Sequence, residues 1–504
     1  MLTGLYDNLA LGLTTAVSFN NLLYCIIGVS LGTFIGVIPG FGTLAAMSML
    51  FPITYHLDPT AAVIMLAGIW YGTTYGGSTA SILLNLPGTP ANAVTCLDGY
   101  PMSKQGRAGV ALFMTTVASF FGASVGIILM MLLSPVIVTF ALQFGPAEYF
   151  SMMVLGLVAA SVISDGSAIK GIAMVALGLL IGTIGSDIET GAERYSFGIS
   201  ELMDGVSLVA LAMGLFGIAE IIGSIRTVET GNIKNISMKS MLPTRDDMRR
   251  SWMPMVRGSS IGSFFGILPG TGPTVAAFMA YALEKKIAKD PSRFGKGAIE
   301  GIMAPETANN ATDQTSFIPT MTLGIPGTAA MALILGVLMV HGIAPGPQLI
   351  VDKPDLFWGL VMSFWIGNIL LVVLNMPLIG LWVRVLMIPY HILYPTIIMF
   401  VCIGVYTVNN SAFDVITVII FGALGYAMRV CDFPAAPLLL GFVLGPLMEE
   451  NFRRAMLIGR GNFDIFISRP LSLSLLLITA ALLIWGVWEA HRSSVKARPV
   501  STAA

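Results

Sequence analysis

A proline followed by a glycine interrupts two apolar segments at matching places. Gly36-Val37-Ile38-Pro39-Gly40-Phe41-Gly42-Thr43 returns as Gly266-Ile267-Leu268-Pro269-Gly270-Thr271-Gly272-Pro273-Thr274, with the prolines 230 positions apart (269 − 39). Proline removes a backbone donor and clashes with the preceding turn, and glycine tolerates dihedrals that no helix uses, so each motif predicts a helix broken in mid-segment. The surroundings decide what such a break means. Over 504 positions the chain is 55% hydrophobic and 11% charged, with mean hydropathy +0.84, which is too apolar for an ordinary soluble globule. It reads as an all-α polytopic membrane protein. In lipid, unpaired backbone groups persist only where protein or a polar cavity shelters them. The two breaks therefore predict a binding site.

Residues 110–137, 149–163 and 471–488 approach or reach the roughly 20 apolar positions that span a bilayer, and the same rule gives about ten to twelve crossings or half-crossings in all. A net charge of −1 argues against a nucleic-acid partner. Residues 1–21 lack the basic flank and small-residue cleavage site of a signal peptide, so retention is expected. Cys25, Cys96, Cys402 and Cys431, like His56, His341, His391 and His491, are scattered, which gives no support to a disulfide framework or a zinc site. There is no GxxxxGK[ST] stretch, hence no sign of direct ATP coupling.

The arms around the first break, residues 21–38 and 41–55, look short for full crossings, and those around the second, 258–268 and 271–284, look shorter still. Arg226, Lys234, Lys239, Arg245, Arg249, Arg250 and Arg257 precede the second pair; Lys285, Lys286, Lys289, Arg293 and Lys296 follow it. Positive charge favours the cytoplasm at both ends, so the segment is expected to re-enter as a hairpin with its tip near the midplane. The first copy has no lysine or arginine between residues 1 and 97, which makes its flanks external. Two inverted repeats with re-entrant hairpins and broken helices follow, with a site at their interface. The expected organisation is a first transmembrane repeat with following helices (1–225), a basic cytoplasmic linker (226–257), a second repeat with following helices (258–447), and a C-terminal helix and tail (448–504). Arg453, Arg454 and Arg460 before the last span conflict with Arg492, Lys496 and Arg498 after it, leaving its orientation open.

A second shared element follows each hairpin. Residues 68–81 lead into Asn85-Leu86-Pro87-Gly88-Thr89-Pro90, and residues 301–316 lead into Gly324-Ile325-Pro326-Gly327-Thr328. The offset grows from 233 at Gly68/Gly301 to 239 at Pro87/Pro326, which places a six-residue insertion inside the second copy. Glu306, Asn309, Asn310 and Asp313 are spaced to share one helical face, and acids within membranes are rare and usually functional. The competing reading is a surface loop over 305–314. Thr73, Thr74, Ser78, Thr79 and Ser81 offer a polar lining as well as close helix packing.

Few basic residues occur in these elements, so a bound anion is expected to be held by hydroxyls, amides and half-helix N-termini, with co-bound cations neutralising the remainder. The expected substrate contacts are Gly40, Thr43, Ser81, Asn85, Pro87, Gly88, Thr89, Gly270, Thr271, Asn310, Gly327 and Thr328. Carbonyls freed beside Thr43 and Thr274, with the acids Glu306 and Asp313, are the expected partners of a coupling ion, sodium or a proton. No other cofactor is expected. Arg384, alone in an apolar run, suits either an anion or an interfacial anchor. Rival readings are a stand-alone organic-anion exchanger, a passive channel, or an intramembrane enzyme using Ser78 or Ser81 with His341.

Together the doubled motif, Trp70-Tyr71-Gly72, Asn85-Leu86-Pro87-Gly88-Thr89-Pro90, Leu97-Asp98-Gly99-Tyr100-Pro101 and Pro305-Glu306 resemble the large membrane subunit of the tripartite tricarboxylate transporters, from about residue 21 to the end of the second repeat and more loosely beyond. That resemblance implies a permease of the bacterial inner membrane for citrate or related carboxylates. It also implies two partners, a small four-helix membrane subunit and a periplasmic substrate-binding protein, and an ion gradient as the driving force. From similar folds, alternating exposure is expected to come from an elevator-like displacement of the hairpin-bearing part against the other helices.

Overall fold

A computed structural model describes residues 2–163, 167–187, 190–224, 238–386 and 390–496. Arg226, Lys234 and Arg498 lie outside the described residues, as do the side chains of His391, His491, Arg492 and Lys496. Helices account for nearly all of the fold; the one sheet among the described residues pairs Gly185–Ser186 with Glu193–Arg194. Phe19–Val37, Pro90–Ala141, Pro354–Asn375 and Ala412–Val430 contain stretches long and apolar enough to cross a membrane, and six shorter apolar helices accompany them. The chain is thus an all-α polytopic membrane protein.

Both motifs break their helices. Phe19–Val37 ends in extended backbone at Ile38, Gly40 turns with φ +81°, and a return arm starts at Thr43 and runs to Leu50. In the second copy Arg245–Ile267 ends in extended backbone at Leu268, Gly270 turns with φ +85°, and the return arm is Gly272–Ile287. Positive φ at both tips is the conformation that glycine alone adopts at little cost.

The outgoing arms are longer than their apolar stretches suggest. At 19 and 23 residues they are roughly 29 and 35 Å long at the helical rise. The second arm gains its length from the basic stretch expected to be linker. Thr244 and Asp247 form a reciprocal capping box that starts the helix at Arg245, so residues 245–257 are helix rather than loop. Arg257 of this arm then pairs with Glu284 of the return arm at 2.5 and 2.9 Å, bringing the two limbs of the hairpin side by side.

An inner helix follows each hairpin. Pro59–Leu84 is buried from Ala61 to Leu83 and ends left-handed at Asn85; Glu300–Thr315 and Phe317–Leu323 are buried throughout from Gly301 to Thr322 and end left-handed at Gly324. The surface-loop reading of 305–314 is overturned, because this stretch is central helix. Glycines at every fourth position let the arms approach the inner helices backbone to backbone. Gly28, Gly32 and Gly36 lie against Met65, Ile69 and Thr73, and Gly258, Gly262 and Gly266 lie against Ala304, Ala308 and Thr312. Those partners keep a constant offset of 239 (304 − 65, 308 − 69, 312 − 73), the value at Pro87/Pro326. The insertion is therefore not inside the inner helix, and against the offset of 230 at the tips it amounts to nine residues (239 − 230) rather than six. The extra residues precede it, in the longer return arm and the connection over 288–299.

Candidate functional site

Four helix beginnings meet at one cavity of about 290 Å³. Gly42, Thr43, Leu44 and Ala45 come from the start of the first return arm, and Gly272, Pro273 and Thr274 from the start of the second. Thr89, Pro90 and Ala91 open the turn that runs into Ala93–Met102, while Thr328, Ala329 and Ala330 open Ala329–Val340. The first N–H groups of a helix have no intrahelical partner, and the aligned peptide dipoles make such ends favourable to anions. Pro90 and Pro273 stand where a missing N–H costs least. Trp70, Thr74, Phe216, Glu220 and Ala436 complete the wall, whose residues include no lysine, arginine or histidine.

Hydroxyl groups in this wall lead to two buried acids. Thr74 donates to Asp313 Oδ2 at 2.7 Å, while Asp313 Oδ1 has no hydrogen-bond partner. Thr89 donates to Asn92 Oδ1 at 2.6 Å, and Asn92 Nδ2 donates to Glu306 Oε1 at 3.2 Å. Ser78 donates to Glu306 Oε2 at 2.8 Å, and Thr95 donates to Oε1. Glu306 and Asp313 are 0% and 1% exposed, so each carboxylate depends on these donors in place of water. Thr74 and Asp313 occupy matching positions of the two inner helices (313 − 74 = 239), so the two halves are bonded to each other through equivalent residues.

Residues 22–440, which is 419 of 504 positions (440 − 22 + 1), match the family model described as the tripartite tricarboxylate transporter TctA family. The chain belongs to this family. Two proteins of Agrobacterium vitis are similar to it. One, described as "Uncharacterized 52.8 kDa protein in TAR-I ttuC' 3'region", is 47% identical over 489 residues, covering 97% of each chain. The other, "Uncharacterized protein in TAR-II ttuC' 3'region", is 55% identical over 215 residues, 43% of this chain and 89% of the relative. No solved structure matches.

In this TctA-family chain the residues expected at the substrate fall into three groups. Thr43, Thr89 and Thr328 line the cavity, beside Thr274, which was expected at the coupling ion; Thr43 Oγ1 lies 2.7 Å from Thr73 Oγ1, and Thr328 caps its helix by accepting from Met331 N at 3.2 Å. A second group builds the turns behind it. Gly40 and Gly270 shape the tips, Gly270 N donates to Gly327 O at 2.8 Å, Gly88 is packed against Gly36 and Gly77, and Thr271 donates to Leu268 O at 2.9 Å and to Phe265 O, closing the outgoing arm that precedes it. A third group is elsewhere. Asn85 and Pro87 are exposed outside the cavity, Ser81 donates to Gly77 O at 3.0 Å, and Asn310 donates to Ser119 and Asn309 within the interior.

The serine and histidine residues of the enzyme reading are not partners of one another: Ser78 and Ser81 bond Glu306 and Gly77, and His341 Nε2 lies 3.0 Å from Thr54 O. Arg384 is exposed. Glu220 and Phe216 line the cavity from outside both repeats, and Glu220 pairs with Arg429 at 3.3 Å. A lone acid in the apolar run over 208–224 is the signal that could have marked Glu220 beforehand.

Proposed function

We propose that the chain is the permease subunit of a tripartite transporter of the bacterial inner membrane. In this reading it takes up citrate or a related carboxylate by ion-gradient-driven secondary transport, together with a small four-helix membrane subunit and a periplasmic substrate-binding protein. The observation that carries the reading is the convergence of four helix N-termini on a cavity with no basic side chain among its described residues. Each such end is worth about 0.3–1 kcal/mol to an anion when exposed and up to ~2 when partly buried. Four of them supply several kcal/mol, enough to orient a carboxylate but too little to hold several negative charges without counter-ions. Cations must accompany the substrate.

Asp313 and Glu306 supply that coupling. Each stands behind the cavity wall, Asp313 through Thr74 and Glu306 through Thr89 and Asn92, so sodium or a proton bound at either acid is felt by the hydroxyls that face the substrate. Carbonyls at the two tips, beside Thr43 and Thr274, add oxygen ligands for a hard cation. Alternating exposure follows from displacement of the hairpin-bearing part against the remaining helices. Counterflow of labelled citrate in proteoliposomes holding the full complex tests the function. Solute-for-solute exchange is expected; efflux without exchange indicates a channel, and a chemical product without transport indicates an enzyme.

A further inference from the structure

We infer that a second site, separate from the carboxylate cavity, holds one monovalent cation in a cage of neutral oxygens. The cage has a volume of about 10 Å³, the space of a single small occupant, and lies among Pro59–Leu84, Ala108–Ala141 and Pro354–Asn375. Its polar walls are Tyr75, Ser78, Thr79, Thr115, Thr116, Ser119 and Asn375.

Hydrogen-bond bookkeeping separates a cation from a water here. Tyr75 gives its proton to Asn368 Oδ1 at 2.6 Å, Ser78 to Glu306 Oε2 at 2.8 Å, and Thr115 and Thr116 to Leu112 O at 2.9 and 3.0 Å. With those protons spent, the four hydroxyls have only lone pairs to offer an occupant, one of those on Ser78 being taken by Asn92 Nδ2 at 3.1 Å. Asn375 adds a fifth acceptor: its amide nitrogen donates to Leu371 O at 2.9 Å, while Oδ1 has no partner although the residue is 4% exposed. One water has two hydrogens, and even with the hydroxyl protons of Thr79 and Ser119 turned inward at least one of the five acceptors stays unmet. A small hard cation takes oxygen ligands of this kind together. Thr79 and Ser119 can rotate to complete the shell. The carboxylate of Glu306 is reached through Ser78, and the described residues of the cage include no acid. One negative charge at one remove suits a monovalent ion rather than a divalent one.

The cage shares Ser78 with Glu306, and Tyr75, Ser78 and Thr79 follow the cavity-lining Thr74 on the same helix. Its occupancy therefore bears on the hydroxyl network behind the carboxylate cavity without including any residue of that wall. The test uses purified full-length protein in detergent with no carboxylate present. Its melting temperature is followed as lithium, sodium or potassium chloride replaces choline chloride at constant ionic strength. The parent protein is expected to gain stability saturably with one of these ions. Thr79→Val and Asn375→Leu are expected to raise the half-saturating concentration by about tenfold or more, whereas Thr79→Ser, which keeps the oxygen, retains the parent's value. If Thr79→Val melts early in choline, Asn375→Leu reads the same quantity from another helix. Folded variants that keep the parent's half-saturation, or a parent indifferent to all three ions, would show that the cage holds water and overturn the proposal. Neither result bears on uptake, which this measurement does not involve.

Discussion

Asp313 has an oxygen without a hydrogen-bond partner in a fully buried position; Thr74, on the cavity wall, donates to the other, and the Trp70 side chain also acts on this carboxylate. Glu306, by contrast, is held by Ser78, Asn92 and Thr95 together. The two acids therefore have different capacities: the under-bonded one has a lone pair to offer a cation, and the saturated one must first give up a donor. Removing the charge at Asp313 is expected to alter ion dependence most. In initial-rate measurements against sodium concentration and pH, Asp313→Asn should weaken the ion response about tenfold or more, with Glu306→Gln having the smaller effect and both proteins present at parental yield. Parental ion dependence in both variants would assign coupling to the tip carbonyls instead.

A second residue-scale prediction concerns Asp247, at the polar start of the second outgoing arm. Burial pushes its pKa up, but the bonds from Arg107 and Thr244 outweigh burial and hold it below the usual aspartate value. A depressed folded-state pKa means that its stabilisation is present above the ordinary value of about 3.9 and is lost as pH falls through the lower, folded one. Asp247→Ala should cost about 1 kcal/mol or more at neutral pH through loss of the capping box alone. The melting temperature of Asp247→Asn should fall less steeply on acidification than that of the parent; parallel curves would remove Asp247 from the acid response.

At the scale of elements, the hairpins and their glycines separate structural from functional demands. Gly262 meets the backbone of Ala308, so Gly262→Leu forces arm and inner helix apart, at a cost of ~1–3 kcal/mol for overpacking or more, and should lower the yield of folded protein. Gly270 is different. Its N–H holds Gly327, its φ is +85°, and a Cβ there would meet the backbone of Ala159 and Ala160 at 2.7 Å, so Gly270→Leu strains the tip against a neighbouring helix while the contacts between arm and inner helix stay as they are. Gly40→Leu is expected to insert normally and lose uptake, and Gly270→Leu to lose uptake by more than its loss of yield, measured as transport per molecule of membrane protein.

The breaks themselves were legible because proline and glycine act locally, and the shared face of Glu306, Asn309, Asn310 and Asp313 was legible from their spacing, though not whether it was buried helix or surface loop. The arm lengths were not, since the helix over 245–257 is charged and its start depends on a capping box rather than on hydropathy. Nor was the split among the twelve expected contacts. Thr43 and Thr271 look alike in sequence, yet one opens a helix toward the cavity and the other closes a helix by bonding Leu268 and Phe265. Which side of a tip a hydroxyl serves is decided by the turn. Glu220 reaches the cavity from a helix remote in sequence from both motifs, and only tertiary packing places it there.

For the whole molecule, the pairing of Arg257 with Glu284 sets the limbs of the second hairpin alongside each other, so both should emerge on one face of the membrane. Arg249→Cys and Lys289→Cys, at exposed positions, are expected to react with an impermeant thiol reagent from the cytoplasmic side only; opposite sidedness would dissolve the re-entrant arrangement. The central claim is that a carboxylate occupies the cavity between the two tips, and protection of a thiol placed there measures it most directly. In a background with Cys25, Cys96, Cys402 and Cys431 replaced, alkylation of Thr43→Cys and Thr274→Cys should slow saturably with citrate or the carboxylate that supports counterflow, and not with an amine of similar size. Unchanged alkylation rates at both positions in saturating carboxylate would contradict the account.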